Sequence, residues 1–116
     1  MTKDVRRKLA AARVGEIPPG AWKVIQYVSD EGEEKEMVLF NLDGRYYAID
    51  NICPHGAFRL SNGLLEGEGV ICPGHGWLFS VRDGRCMSRE FEPVTTYRVE
   101  VSGDIIEIVY SETDEQ

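Results

Sequence analysis

The chain has 116 residues, 42% of them apolar and 28% charged, with a formal net charge of −7. That length suits one compact domain with a single core. The negative charge repels phosphate backbones and argues against nucleic-acid binding, and no apolar run reaches the roughly 18 residues of a membrane span.

Residues 1–12 open with a basic run and place Val5, Leu9 and Ala12 on one side of a short helix, or else form a terminal tail. No greasy stretch follows the basic run, so a cytoplasmic location is expected. Glu16-Ile17-Pro18-Pro19-Gly20 is a turn, because two successive prolines forbid regular pairing. Strand signals then dominate. Residues 21–28 and 36–41 are rich in β-branched and aromatic side chains, with a polar turn at 29–35. Asp43-Gly44 joins the second of these to 46–49, a strong hairpin signal. Further hairpins are expected for 64–65 with 70–71, for 77–81 with 85–87, and for 95–101 with 105–110. Residues 111–116 read as an acidic disordered tail. About nine short strands broken by turns predict an all-β, antiparallel sandwich or barrel.

Two motifs stand at strand exits: Cys53-Pro54-His55 and Cys72-Pro73-Gly74-His75, with sixteen residues between them. Each offers one thiolate and one imidazole. Two thiolates and two imidazoles on short Gly/Pro-rich loops suit a [2Fe–2S] cluster in which two His replace two Cys on one iron. The same donors suit a tetrahedral zinc. Zinc modules, however, usually draw like residues from each short motif, and a cluster with Cys on one iron and His on the other needs one of each from both loops. The pattern therefore favours the cluster over zinc. With three cysteines in the chain no disulfide framework is indicated, and Cys86 reads as a small buried hydrophobe.

Cys-Pro-His followed by Cys-Pro-Gly-His-Gly-Trp resembles the Rieske family. The likeness extends to the opening turn at 16–20, to Asn51-Ile52, to Leu60-Ser61-Asn62-Gly63, to Phe79 with Asp83-Gly84, and to the closing strand with Tyr97, Val99 and Val101. It implies a three-layered antiparallel β-sandwich over residues 13–110, with an inserted cluster-binding subdomain whose loops are 51–63 and 70–80. It implies one Rieske-type [2Fe–2S] cluster, with Cys53 and Cys72 on the inner iron and His55 and His75 on the outer one. Phe91 and Pro93 would belong to a third loop that covers the cluster. Respiratory members carry a disulfide at positions matching Phe58 and Gly74, and a cluster-bonding serine at the position of Trp77. Losing those sulfur-directed hydrogen bonds disfavours the reduced state, so a low-potential soluble ferredoxin is expected. The commoner ferredoxin loop has Arg directly after the first His, where this chain has Gly56 and places Arg59 three residues later.

The chain has two histidines, and both are taken as ligands. None remains for the 2-His-1-carboxylate iron of an oxygenase, so the protein is expected to be no enzyme by itself. The resemblance implies a monomeric one-electron carrier between a ferredoxin reductase and a terminal oxygenase of the ring-hydroxylating type. The alternative it offers is the small subunit of an assimilatory nitrite reductase. Docking is expected at the His55/His75 edge, with no nucleic-acid or membrane partner.

Overall fold

The computed structural model describes residues 2–29, 31–54 and 56–115, with side chains described between 6 and 110. Its regular structure is nine antiparallel strands and one short 3-10 turn (Leu60–Asn62) among those residues. β1 (Thr2–Arg13), β9 (Ile105–Glu115), β8 (Thr96–Ser102), β4 (Arg45–Asp50), β3 (Glu34–Leu42) and β2 (Trp22–Val28) follow one another in a six-stranded sheet. β5 (Leu64–Glu66), β6 (Gly69–Ile71) and β7 (Leu78–Ser80) make a separate three-stranded sheet.

The six-stranded sheet bends into two layers at β8. The start of that strand pairs with β4 through Thr96 and Tyr97, and the remainder pairs with β9 from Arg98 to Ser102. The alternation along β3 shows what lies on either side. Val38 and Phe40 face a core shared with Val70 and Phe79 of the small sheet. Met37 and Leu39 face a second core with Ile106 and Ile108 of β9. A strand covered on both faces reads as a continuous apolar run, which is why Met37-Val38-Leu39-Phe40 shows no polar alternation. The central layer β2-β3-β4 thus lies between β1-β9-β8 and the small sheet, giving the expected three layers. Lys23 Nζ reaches across from β2 to the Ala11 carbonyl at 2.9 Å, tying the two outer edges of the large sheet together.

Three expectations need correction. Residues 2–13 form an edge strand, not a helix or a tail. They pair with β9 along its length, with a register shift between Ala10 and Ala12. The extra residue turns both Ala11 and Ala12 inward, and both are buried. The intrinsic helix preference of the Ala-rich run is overridden by the partner strand. For the same reason 111–115 is not a loose tail, since β9 continues through it with Lys3 opposite Asp114 and Val5 opposite Glu112 in register. Residues 85–87 form no strand and contribute only an isolated bridge between Phe79 and Cys86.

The hairpin turns follow local chemistry. Asp43 and Gly44 both adopt positive φ, 56° and 89°, as the two-residue turn favoured between twisted strands requires. Asn41, buried beside this turn, accepts from the Gly44 N–H at 2.8 Å and donates to the Ile17 carbonyl at 2.8 Å. It thereby fixes the Pro-rich opening turn to β3.

Candidate metal centre

The first motif sits on a loop that leaves β4 and returns at the 3-10 turn. Asn51, fully buried, closes its neck. The Asn51 carbonyl accepts from Leu60 N–H at 3.1 Å. The Asn51 side-chain oxygen accepts from Ser61 N–H at 2.8 Å, and its amide donates to Ser61 Oγ at 3.0 Å. An isolated bridge between Ile52 and Arg59 continues the closure. The second motif lies between β6 and β7. Gly63, just after the 3-10 turn, backs directly onto the Ile71 carbonyl, leaving no room for a side chain where the two loops join.

Both loops use the same backbone device. The Cys53 N–H donates to the Phe58 carbonyl at 2.9 Å, and the Cys72 N–H donates to the Trp77 carbonyl at 2.8 Å, each five residues onward. A tighter bond sits inside each: Gly56 N–H to the Cys53 carbonyl at 3.2 Å, and Gly76 N–H to the Cys72 carbonyl at 2.9 Å. Both cysteines are set deep, 1% and 0% exposed, within the core beside Phe79. Neither is in a disulfide. His75 stands at the exposed outer end of its loop. His55 lies outside the described residues.

The loops meet through an aromatic strip. The Phe58 ring from the first loop covers Gly74 and meets the His75 ring edge-on at 5.8 Å. A Cβ at position 74 would collide with that ring, so the close approach depends on glycine. The Trp77 ring also lies 5.8 Å from that of His75. Phe91 packs edge-on against Trp77 at 5.0 Å, and the Arg89 guanidinium sits 5.0 Å from the Trp77 ring centre. The segment containing Phe91 therefore lies against the second loop. Positions 58 and 74, the counterparts of a disulfide pair in respiratory proteins, are in contact here through a ring on a bare backbone. Cys86 is buried in the same core as Cys53 and Cys72.

The donor set suits a mixed-ligand cluster. Among the described residues no three His, Cys, Asp or Glu side chains converge on one point, and a dinuclear centre asks for two protein ligands per iron instead. Buried thiols on one side and an exposed imidazole on the other match that asymmetry. Sequence reasoning missed the support beneath the first loop, where Glu36 on β3 accepts from Arg59 and Asn51. Partners fifteen and twenty-three residues apart leave no local signal. Hydrogen bonds from Gln26, then Arg59 and Asn51, hold the Glu36 carboxyl below its ordinary pKa despite some desolvation. At the end of β4, burial pushes the Asp50 carboxyl up, opposed by a 3.2 Å hydrogen bond from Tyr97 Oη and by Lys35. Burial first, and then the Asp50 charge, raises the Tyr97 phenol.

Three antiparallel layers carrying two facing Cys/His loops define a small iron–sulfur protein. The chain matches the Rieske [2Fe-2S] domain over residues 7–105. It belongs to that family and carries one cluster of the Rieske type. The ferredoxin component of the naphthalene 1,2-dioxygenase system of Pseudomonas aeruginosa is 38% identical over 99 residues, covering 84% of this chain and 90% of the relative. The ferredoxin of carbazole 1,9a-dioxygenase from Nocardioides aromaticivorans IC177 superposes with a TM-score of 0.72 at 27% identity, covering 87% of this chain and 95% of that one. A chain in a complex of reduced oxygenase and oxidized ferredoxin of carbazole 1,9a-dioxygenase reaches a TM-score of 0.75 at 26% identity, covering 87% and 91%. No helix among the described residues is long and apolar enough to cross a membrane.

Proposed function

We propose that this protein is the one-electron carrier of a ring-hydroxylating oxygenase system, accepting from a reductase and delivering to a terminal oxygenase, with Cys53, His55, Cys72 and His75 as the cluster ligands. The observation that carries the reading is the pair of loops closed by the same five-residue backbone bond, with both thiols sunk in the core and His75 at the open end. When bound, the cluster supplies storage for one electron. The chain supplies everything else. Cys53 and Cys72 would hold the cluster from within the core through their backbone-fixed loops. His55 and His75 would be its other two ligands, with His75 on the exposed side available to a partner. Phe58, Trp77 and Phe91 form a partly exposed apolar rim beside His75, which suits the small interfaces of transient redox encounters.

The naphthalene and carbazole relatives are named as ferredoxins of dioxygenase systems, which supports an oxygenase as acceptor. Docking at the His edge is brief, and the protein acts as a cytoplasmic monomer. With a net charge of −7, encounter with a basic partner surface is steered electrostatically. Reduction of the oxygenase through this protein should slow as ionic strength rises.

Absorption and EPR spectra of the anaerobically purified protein test the ligand set. A mixed-ligand [2Fe–2S] signature with equimolar iron and acid-labile sulfide is expected. Stoichiometric zinc with no sulfide would end this reading. The midpoint potential should fall toward the lower end of the Rieske range of about −150 to +300 mV. A value above about +100 mV would overturn this expectation and show that another donor makes up for the serine hydroxyl missing at Trp77.

A further inference from the structure

Glu36 sits at the start of the buried run of β3, outside both ligand motifs, yet its carboxylate is the point on which the first loop is fastened. Oε1 accepts from Asn51 Nδ2 at 2.9 Å and from Arg59 Nε at 3.0 Å. Oε2 accepts from Arg59 Nη2 at 3.0 Å and from Gln26 Nε2 at 3.1 Å. The Glu36 backbone carbonyl also accepts from Asn51 N–H at 3.1 Å. Asn51 stands at the start of the loop and Arg59 at its end, so one side chain on a sheet strand holds both. The two-pronged Arg–carboxylate contact resists rotation as well as separation. A half-exposed ion pair adds little to global stability; what this one adds is orientation.

We propose that Glu36 is a positioning residue for the iron–sulfur site. Acting through Asn51 and Arg59, it fixes the first ligand loop against β3 and, through Phe58, against Gly74 and His75 of the second. Among the described residues, the Glu36 carboxylate bonds to Asn51, Arg59 and Gln26 and not to Cys53, Cys72 or His75. The proposal rests on the ligand assignment above, and its test keeps the two separable.

The loaded protein is compared as wild type, Glu36→Gln, Glu36→Ala and Arg59→Lys. Glu68→Gln serves as control, since it breaks a comparable exposed pair with Arg82 (3.2 Å) far along the β5–β6 turn. A glutamine at 36 sets an amide donor against the donors of Arg59 and Gln26. Iron release to excess chelator, followed by loss of visible absorbance, should accelerate about tenfold or more in both Glu36 variants, as for other residues that orient metal ligands. Arg59→Lys should fall between, and Glu68→Gln should match wild type. The EPR lines of the reduced protein should broaden in the same order, a signature that a purely structural role leaves unmoved. Amide exchange at Leu60 and Ser61 should lose protection in Glu36→Ala. Unchanged release, line width and exchange in Glu36→Ala and Arg59→Lys would overturn the proposal, as would an equal effect from Glu68→Gln. If the Glu36 variants do not fold, Arg59→Ala at an exposed side chain decides by the same readings. A wild type without the mixed-ligand spectrum would defeat the ligand assignment alone, because exchange at Leu60 and Ser61 reads the brace without metal.

Discussion

The two ligand loops share a backbone and differ in what holds them. Each fixes its cysteine by an N–H donated to a carbonyl five residues on. The first is then braced by polar groups, Glu36, Arg59, Asn51 and Ser61. The second is packed by rings, with Phe58 and Trp77 both against His75 and Phe91 against Trp77. Hydrogen bonds are directional and sensitive to charge, whereas ring packing is sensitive to volume. The same closure built from these two materials should break in different ways.

The largest effect comes from removing donors, where the loops should behave alike. Cys72→Ser and His75→Ala should each abolish the mixed-ligand spectrum, as should Cys53→Ser and His55→Ala in the other loop. Iron and sulfide analysis alongside EPR checks this. Retention of an unaltered spectrum in any one of them would remove that residue from the ligand set.

Next comes the polar brace. Asn51→Ala deletes both bonds to Ser61 and the bond to Glu36, leaving the Ser61 N–H unpaired at a closed neck. A loss of about 3 kcal/mol in unfolding free energy is expected, from roughly 1–3 kcal/mol per buried group left unsatisfied. Denaturant titration measures it, and a loss under about 1 kcal/mol would mean that water or a neighbour replaces the amide.

The ring-packed side answers to volume. Gly74→Ala drives a methyl into the Phe58 ring, with an expected cost of about 1–3 kcal/mol for overpacking. Adding Phe58→Ala should recover most of the loss, because the collision needs both residues. A double-mutant cycle reads that coupling. Strict additivity would show that Phe58 moves aside freely and does not hold the loops together.

This division also explains what could be seen in the sequence. The proposed ligands stand out in the sequence because Cys and His at such close spacing carry their chemistry in one dimension. The hairpins were legible because Asp43-Gly44 and its like need particular backbone angles. The three layers were less so, since the placement of Val38 and Met37 on opposite cores depends on what covers each face. β1 was missed because its Ala-rich run has no strand preference of its own and takes its form from β9. Of the supports, Phe58 and Trp77 lie within a few residues of the two motifs, in the loops that carry them. Glu36 lies fifteen residues before Asn51 and looks like one more surface acid until the chain folds.

The smallest expected effect separates the two acids beside the first loop by the sign of their response to pH. Glu36 has its pKa lowered from 4.5, chiefly by the Gln26 hydrogen bond and then by Arg59 and Asn51. The unfolded chain therefore binds that proton more readily, and stability from Glu36 is present above 4.5 and lost as pH falls through the folded value. Asp50 is the reverse. Burial raises its pKa from 3.8, so the folded state binds the proton more tightly. Its contribution falls as pH rises from 3.8 through the folded value and stays unfavourable above it. Asp50→Asn keeps an acceptor for Tyr97 and removes the buried charge, so it should be slightly stabilising at neutral pH, with the gain vanishing in acid. Glu36→Gln should be destabilising at neutral pH, and its deficit should shrink in acid. Unfolding measured from pH 3 to 7 on both variants (~1 unit steps suffice to resolve the carboxylate range) distinguishes them. Parallel curves would mean that Asp50 is relieved by Lys35 and Tyr97 as fully as Glu36 is by its brace.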